Sequence, residues 1–201
     1  MSDNRTPRDG EANWLWVAAF AALAVMIRLV PRYPEYFPLT EESRWLWNFT
    51  AVGALGLFAG ARLGSWAAYL VPLGAMLVAD LLLMPKLGSQ TFHPLMTPVV
   101  YASMTLNVAI GRLFRLTSSP AWAVPGALLT TAQFFVTTNL AEWAFSGLYP
   151  HTFAGLTDCF VAALPFIRGT LIGDMGYSIL FFGLFAAVQA VRQREKVSQP
   201  A

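Results

Sequence analysis

Apolar segments of about the length of a lipid bilayer follow one another along this chain of 201 residues, separated by short polar breaks. About 20 mainly apolar residues in a helix cross the ~30 Å hydrocarbon core of a membrane. Charged residues make up 12% of the chain, whereas a soluble domain carries about 25%. The sequence therefore predicts an all-α integral membrane protein with about six transmembrane helices.

The boundaries of the spans follow from where each apolar segment begins and ends. In chain order, the predicted spans are 14–30, 48–62, 66–84, 95–113, 121–138 and 169–191. Between the last two, residues 139–156 are predicted to form a lid. Residues 157–167 are too short to cross and predict a half-helix or an interfacial helix. We expect a single domain over residues 14–191, with a polar tail (1–13) and a basic tail (192–201) in the cytoplasm.

Arginine and lysine lie near the ends of the apolar segments, and they set the expected orientation. With both termini inside, the cytoplasmic segments carry more of these residues than the outer ones, as the positive-inside rule requires. We therefore expect a multi-pass protein of the bacterial inner membrane with both termini in the cytoplasm. The basic residues form no stripe, so nucleic-acid binding is not indicated.

With this orientation, several polar and aromatic residues of the apolar segments fall on the outer side. The candidate pocket residues are Asn48, Thr50, Asp80, Asn139, Trp143, Tyr149, Asp158 and Asp174. Taken singly, each carboxylate is explained by an interfacial position or a structural pairing. Because ionisable groups are costly in lipid, their concentration on one side favours a solute-binding pocket open to the outside.

Other residues of potential interest have simpler interpretations. Ala18 and Ala22 form a small-xxx-small pair that permits close helix contact; packing within the chain is its more frequent use, and docking of a partner is the alternative. His93 has no second ligand at metal-binding spacing, and the lone Cys159 is a small packed residue. No metal or cofactor is expected.

The segments NFTAVGALGLFAGA (48–61), PLGAMLVAD (72–80), FHPLMTPVVYAS (92–103) and TTNLAEW…YPHTFAGLTDCFVAALPFIRGTLIGDMGY (137–177) resemble a family of small bacterial membrane proteins. That family is of uncharacterised function, is described as transport proteins and is related to the substrate-binding S components of energy-coupling factor transporters.

The resemblance implies an S-component-like helix bundle that captures a vitamin-like or other small solute for uptake. It also implies a transmembrane coupling subunit, expected to dock near Ala18 and Ala22, and two cytoplasmic ATPases. The chain itself has no G-x-x-x-x-G-K-[ST] phosphate loop, so ATP would be used by a partner. We therefore expect a non-catalytic, solute-binding subunit.

Two other functions remain open at this stage. One is a structural or assembly subunit, whose polar residues only hold the helices together. The other is an intramembrane enzyme that would use Glu142 and His151 with Asp158 or Asp174 as acid and base. No nucleophile elbow, H-E-x-x-H or paired-aspartate pattern supports the enzyme.

Overall fold

A computed structural model describes residues 7–33, 49–115 and 120–198, and all of its regular structure in these ranges is helical. The six principal helices are α1 (Pro7–Leu29), α2 (Val52–Arg62), α3 (Leu70–Leu87), α4 (Met96–Leu113), α5 (Ala123–Phe145) and α6 (Phe153–Ser198). One-turn 3₁₀ helices follow α1 and α3 and precede α3 and α5. The predicted all-α class is confirmed.

Three helical stretches in the described part of the chain are long and apolar enough to cross a membrane: Trp14–Arg32, Trp66–Leu87 and Phe153–Arg194. α2 is shorter than its predicted span. Its 11 residues extend over only about 16 Å at ~1.5 Å per residue, about half of a hydrocarbon core.

α2 is the central helix of the bundle. All of its residues from Val52 to Ala61 are buried, and it contacts each of the other five helices. A helix that is apolar on every side belongs in such a position. Glycine allows α2 and α4 to approach each other closely. A methyl group at Gly60 would overlap the backbone carbonyl of Val108 on α4, and a methyl group at Gly111 would overlap the backbone carbonyl of Leu57 on α2.

Aromatic rings join α2 to α1 and α6. Phe58 makes edge contacts with Phe20, Phe181, Phe182 and Phe185 at centroid distances of 5.1–6.2 Å. Phe20 also stacks on Phe181 at 4.1 Å. Offset or edge-on aromatic pairs add to the stabilisation that burial provides, so this cluster joins α1 and α6 to the central helix and to each other.

Helices that follow one another in the chain alternate in direction, which gives the bundle two chemically different ends. At the end that we call the site end, α2 begins while α1 and α3 finish, and Arg28 meets Asp80 there. At the opposite end, which we call the basic end, Arg62 lies over the rings of Phe182 and Phe185 at 5.1–5.2 Å. Arg112 and Arg115 lie at the same end.

The connection between α5 and α6 differs from the prediction. The lid predicted for 139–156 and the half-helix predicted for 157–167 are wrong, since α5 continues to Phe145 and α6 is one helix of 46 residues that contains Pro165. Proline removes one helical hydrogen bond, but packing against a neighbouring helix can preserve the helix around it. α5 provides that packing along α6.

Only residues 146–152 connect the two helices. Gly147 has a φ of 72°, a conformation that glycine adopts without strain. Thr152 then accepts a hydrogen bond at its Oγ1 from the backbone N–H of Gly155 and so caps the start of α6. Helical structure also extends into both predicted tails, since α1 begins at Pro7 and α6 ends at Ser198.

Candidate functional site

A polar cavity of about 70 Å³ lies at the site end, beside the first turn of α2. We call it the inner cavity. Its polar and charged lining consists of Arg28, Arg32, Thr50, Asn107, Thr170 and Asp174, and its apolar lining includes Val52, Met76, Val100, Met104 and Phe134. All six principal helices or their adjoining turns contribute a residue, so the cavity exists only in the assembled bundle.

Asp174 contributes a buried carboxylate to the cavity wall, with 3% of its surface exposed. The hydroxyl of Thr131 on α5 donates a hydrogen bond to its Oδ2 at 2.9 Å. The backbone N–H of Ala54 also bonds to this carboxylate. Because Ala51 supplies no side-chain cap to α2, Asp174 provides the acceptor for that helix N-terminus from another helix.

Asp80 is also buried, with 4% of its surface exposed, and it links three helices. Its Oδ1 accepts a hydrogen bond from Nη2 of Arg28 at 2.9 Å, and its Oδ2 accepts one from the hydroxyl of Tyr101 at 2.8 Å. Arg32 lies near enough to be attracted by Asp80 and repelled by Arg28. The prediction left structural pairing and ligand contact open for Asp80, and the structure provides the pairing.

A network of uncharged polar groups joins α4 to α5 beside the inner cavity. Nε2 of Gln133 donates to Oδ1 of Asn107 at 2.7 Å and to the backbone carbonyl of Ser103 at 3.0 Å. The hydroxyl of Ser103 donates to Oε1 of Gln133 at 3.1 Å. Gln133 is not among the residues predicted from the sequence, although an amide in the middle of an apolar segment is the signal that would have identified it.

A second and larger pocket of about 230 Å³, here the outer pocket, lies between α5, α6 and the start of α4. Phe134 and Thr170 line both this pocket and the inner cavity, so these two side chains form the boundary between them. Asn139 and Glu142 line the outer pocket. The side-chain amide of Asn139 donates to the backbone carbonyl of Phe135 at 2.7 Å.

The remaining predicted pocket residues lie apart from these two volumes. Trp143 donates from Nε1 to the carbonyl of Pro150 at 3.0 Å and packs against His151, so it holds the 146–152 connection. Tyr149 is half-buried in that connection, and Asp158 is exposed on α6; neither lines the inner cavity or the outer pocket. Asn48 lies outside the described residues.

The structure brings Thr50 and Asp174 into one cavity, places Asp80 in the ion pair with Arg28, and puts Asn139 in the adjoining pocket. It adds Arg28 and Arg32, which the sequence analysis treated only as charges that define orientation. Asp158 takes a surface position because it lies on an outward face of the continuous α6, rather than in a half-helix folded over the bundle.

Ala18 and Ala22 are both exposed on the outer face of α1. They therefore do not pack against another helix in the described part of the chain. In the same part, no three histidine, cysteine, aspartate or glutamate side chains group as metal ligands would. His151 and Asp158 are exposed and separate from the buried Asp174.

The chain belongs to DUF6580, a family of unknown function whose model matches residues 9–197. No curated protein and no solved structure matches it.

Proposed function

We propose that this DUF6580 protein is a multi-pass protein of the bacterial inner membrane that binds a small solute, as an S-component-like subunit for uptake. The observation that carries the proposal is the inner cavity, which combines two arginines and a buried carboxylate inside an apolar helical bundle. Ionisable side chains that face the interior of such a bundle are by default candidates for a functional site.

Membrane insertion is supported by the outer surface of the bundle. On α3, the side chains of Leu77, Val78, Leu81 and Leu82 are 45–51% exposed. Contiguous apolar surface of this kind is unfavourable in water and favourable in lipid. We propose six crossings, in which the short α2 is surrounded by the other five helices.

Two adjoining volumes make a binding site of a suitable size. The inner cavity has about 70 Å³ and the outer pocket about 230 Å³, and together they approach the lower end of the ~300–1,000 Å³ range of small-molecule sites. Asn139 and Glu142 add polar groups to the outer pocket. A vitamin-like solute would enter from the outside through the outer pocket.

The basic end supports the proposed orientation. Arg62, Arg112 and Arg115 lie at that end, which favours a cytoplasmic position for it under the positive-inside rule. Both termini are then cytoplasmic. The exposed face of Ala18 and Ala22 on α1 is open to a transmembrane coupling subunit, and cytoplasmic ATPases bound to that subunit would supply the energy.

A structural or assembly subunit is the second candidate. It is favoured by the hydrogen bonds of Asp80 and Asp174, since both carboxylates already have partners within the chain. In that case the buried polar groups stabilise the bundle, and no solute is required. The two functions differ in whether the purified protein responds to added solute.

Thermal unfolding of the full-length protein in lipid nanodiscs tests the proposal against a panel of vitamins, their precursors and metal ions. A bound solute at about 100 times its Kd stabilises the folded state by ~2.7 kcal/mol, so at least one compound should raise the Tm. Phe134→Trp, at the boundary of the two volumes, should abolish the response. Phe145→Trp should keep it, because Phe145 is exposed on the same helix.

If no compound stabilises the folded wild-type protein, solute binding is rejected and the structural function is preferred. If a compound still raises the Tm of Phe134→Trp, the solute binds outside the inner cavity and the outer pocket.

A further inference from the structure

We propose that the solute is a monocarboxylic acid with a compact apolar body, oriented with its carboxylate against Arg28 in the inner cavity and its body in the outer pocket. This inference rests on the proposed function, because it assigns a chemical class to the solute of the same site.

The donors of Arg28 provide the first argument. Its Nη2 donates to Asp80 at 2.9 Å, whereas its Nε is buried and has no hydrogen-bond partner among the described residues. A guanidinium presents its N–H groups as a planar fork that matches the two oxygens of a carboxylate. A buried N–H without an acceptor is unfavourable. Because Arg28 lines the inner cavity, a small movement of its side chain toward a carboxylate bound there would give this donor an acceptor.

The charges around the cavity provide the second argument. Asp80 is held by Arg28 and Tyr101, and Asp174 is held by Thr131 at the N-terminus of α2. Both carboxylates of the described cavity region therefore have their own donors. Arg28 and Arg32 both line the inner cavity, and their positive charges favour an anionic group there.

The volumes provide the third argument, since they fix the orientation. The inner cavity, about 70 Å³, has room for a head group and not for a whole vitamin-sized molecule. The outer pocket, about 230 Å³, is lined mainly by apolar and aromatic side chains, including Phe135, Phe166 and Ile167. Glu142 also lines the outer pocket and would repel a second carboxylate, which favours a monoacid over a diacid.

Matched pairs of an acid and its primary amide test this assignment on the full-length protein in nanodiscs. The probes are nicotinate and nicotinamide, 4-aminobenzoate and 4-aminobenzamide, and indole-3-acetate and indole-3-acetamide. Titration calorimetry measures their Kd values. We expect the acid of at least one pair to bind about tenfold or more tightly than its amide, a difference of about 1.4 kcal/mol.

The double variant Arg28→Gln, Asp80→Asn should reduce this preference at least about tenfold. Both members of the ion pair are replaced together, so no lone charge remains buried. The control Arg168→Gln should keep the preference, because Arg168 is exposed and lines neither volume. Circular dichroism confirms that each variant is folded.

Three results would overturn the inference in different ways. Amides that bind as tightly as their acids would reject a carboxylate solute while leaving the proposed function intact. An acid preference that survives in the double variant would remove the assignment to Arg28. If no probe binds and the broad vitamin panel also fails, the proposed function falls together with the inference.

Discussion

The carboxylate of Asp174 on α6 lies directly against the Cα of Gly53, in the first turn of the central helix α2. Two residues that are 121 positions apart in the sequence meet at this contact. The absence of a Cβ at Gly53 lets the carboxylate reach the N-terminal end of α2, where Ala51 offers no side-chain acceptor. The inner cavity is therefore built on a contact that requires glycine.

Gly53→Ala should destabilise the protein, because the added methyl group would overlap the carboxylate of Asp174. We expect a loss of about 1–3 kcal/mol, the usual cost of overpacking a buried site. Gly74→Ala and Gly176→Ala are matched controls in helices, since a methyl group there meets open space. These should be neutral or stabilising by up to ~1 kcal/mol. Unfolding curves in which Gly53→Ala matches the controls would contradict the contact.

Thr131 and Asp174 should show thermodynamic coupling. Thr131→Val keeps the shape of the side chain but removes its hydroxyl donor, and Asp174→Asn keeps an acceptor but removes the charge. Residues joined by a buried hydrogen bond typically show coupling energies of about 0.5–3 kcal/mol in a double-mutant cycle. The cycle is measured by chemical unfolding in detergent. Strictly additive effects would mean that the 2.9 Å hydrogen bond contributes nothing to stability.

For the ion pair of Arg28 and Asp80, a single substitution should lower the free energy of unfolding more than the double substitution does. Arg28→Gln leaves the buried carboxylate of Asp80 without its cation, for which we expect a cost of about 3–5 kcal/mol. Asp80→Asn should cost less, because 22% of the Arg28 side chain is exposed and can be hydrated.

The double variant Arg28→Gln, Asp80→Asn should be more stable than Arg28→Gln alone, since no lone charge remains buried. Asp158→Asn is the exposed control and should change stability by no more than about 0.5 kcal/mol. A double variant whose loss equals the sum of the two single losses would show that the ion pair does not act as a unit.

The convergence of polar residues at one end of the bundle was predictable from the sequence. Thr50, Asp80, Asn139 and Asp174 were placed together because each lies at a similar depth in its apolar segment, and helices that alternate in direction bring such positions to the same side. Thr50 and Asp174 line the inner cavity, and Asn139 lines the adjoining pocket. The depth of a residue in its apolar segment can be read from the hydropathy of the sequence alone.

Whether a residue lies on the inward or the outward face of its helix was not predictable in the same way. Asp158 has a suitable depth but an exposed position, because its direction depends on how α6 is rotated against α5. A separate half-helix was predicted for residues 157–167, yet α6 continues through Pro165 and packs along α5. Arg28 and Arg32 were counted only among the outer charges that define the orientation, and the tertiary fold brings them into the cavity wall.

Ala18 and Ala22 should tolerate larger residues without loss of stability. Both are exposed on α1, whereas Ala24 on the same helix is fully buried. We therefore expect Ala18→Leu and Ala22→Leu to change the free energy of unfolding by no more than about 0.5 kcal/mol, while Ala24→Leu loses about 1–3 kcal/mol.

If the alanine face docks a coupling subunit, Ala18→Leu and Ala22→Leu should also lower uptake into whole cells of a radiolabelled solute that binds the wild-type protein. Binding of that solute to the purified variants should be unchanged. Uptake at the wild-type rate in both variants would locate the docking surface elsewhere.

The orientation of the bundle can be measured with two matched cysteine substitutions. Leu148 lies in the 146–152 connection at the site end and is 74% exposed, and Leu113 ends α4 at the basic end and is 73% exposed. The single native cysteine, Cys159, is buried, so its background labelling should be low; Cys159→Ala removes it entirely. In intact cells, a membrane-impermeant maleimide should label Leu148→Cys and not Leu113→Cys, and permeabilised cells should label both. The reverse pattern would open the outer pocket to the cytoplasm, and uptake through an outward-facing S-component-like site would then be untenable.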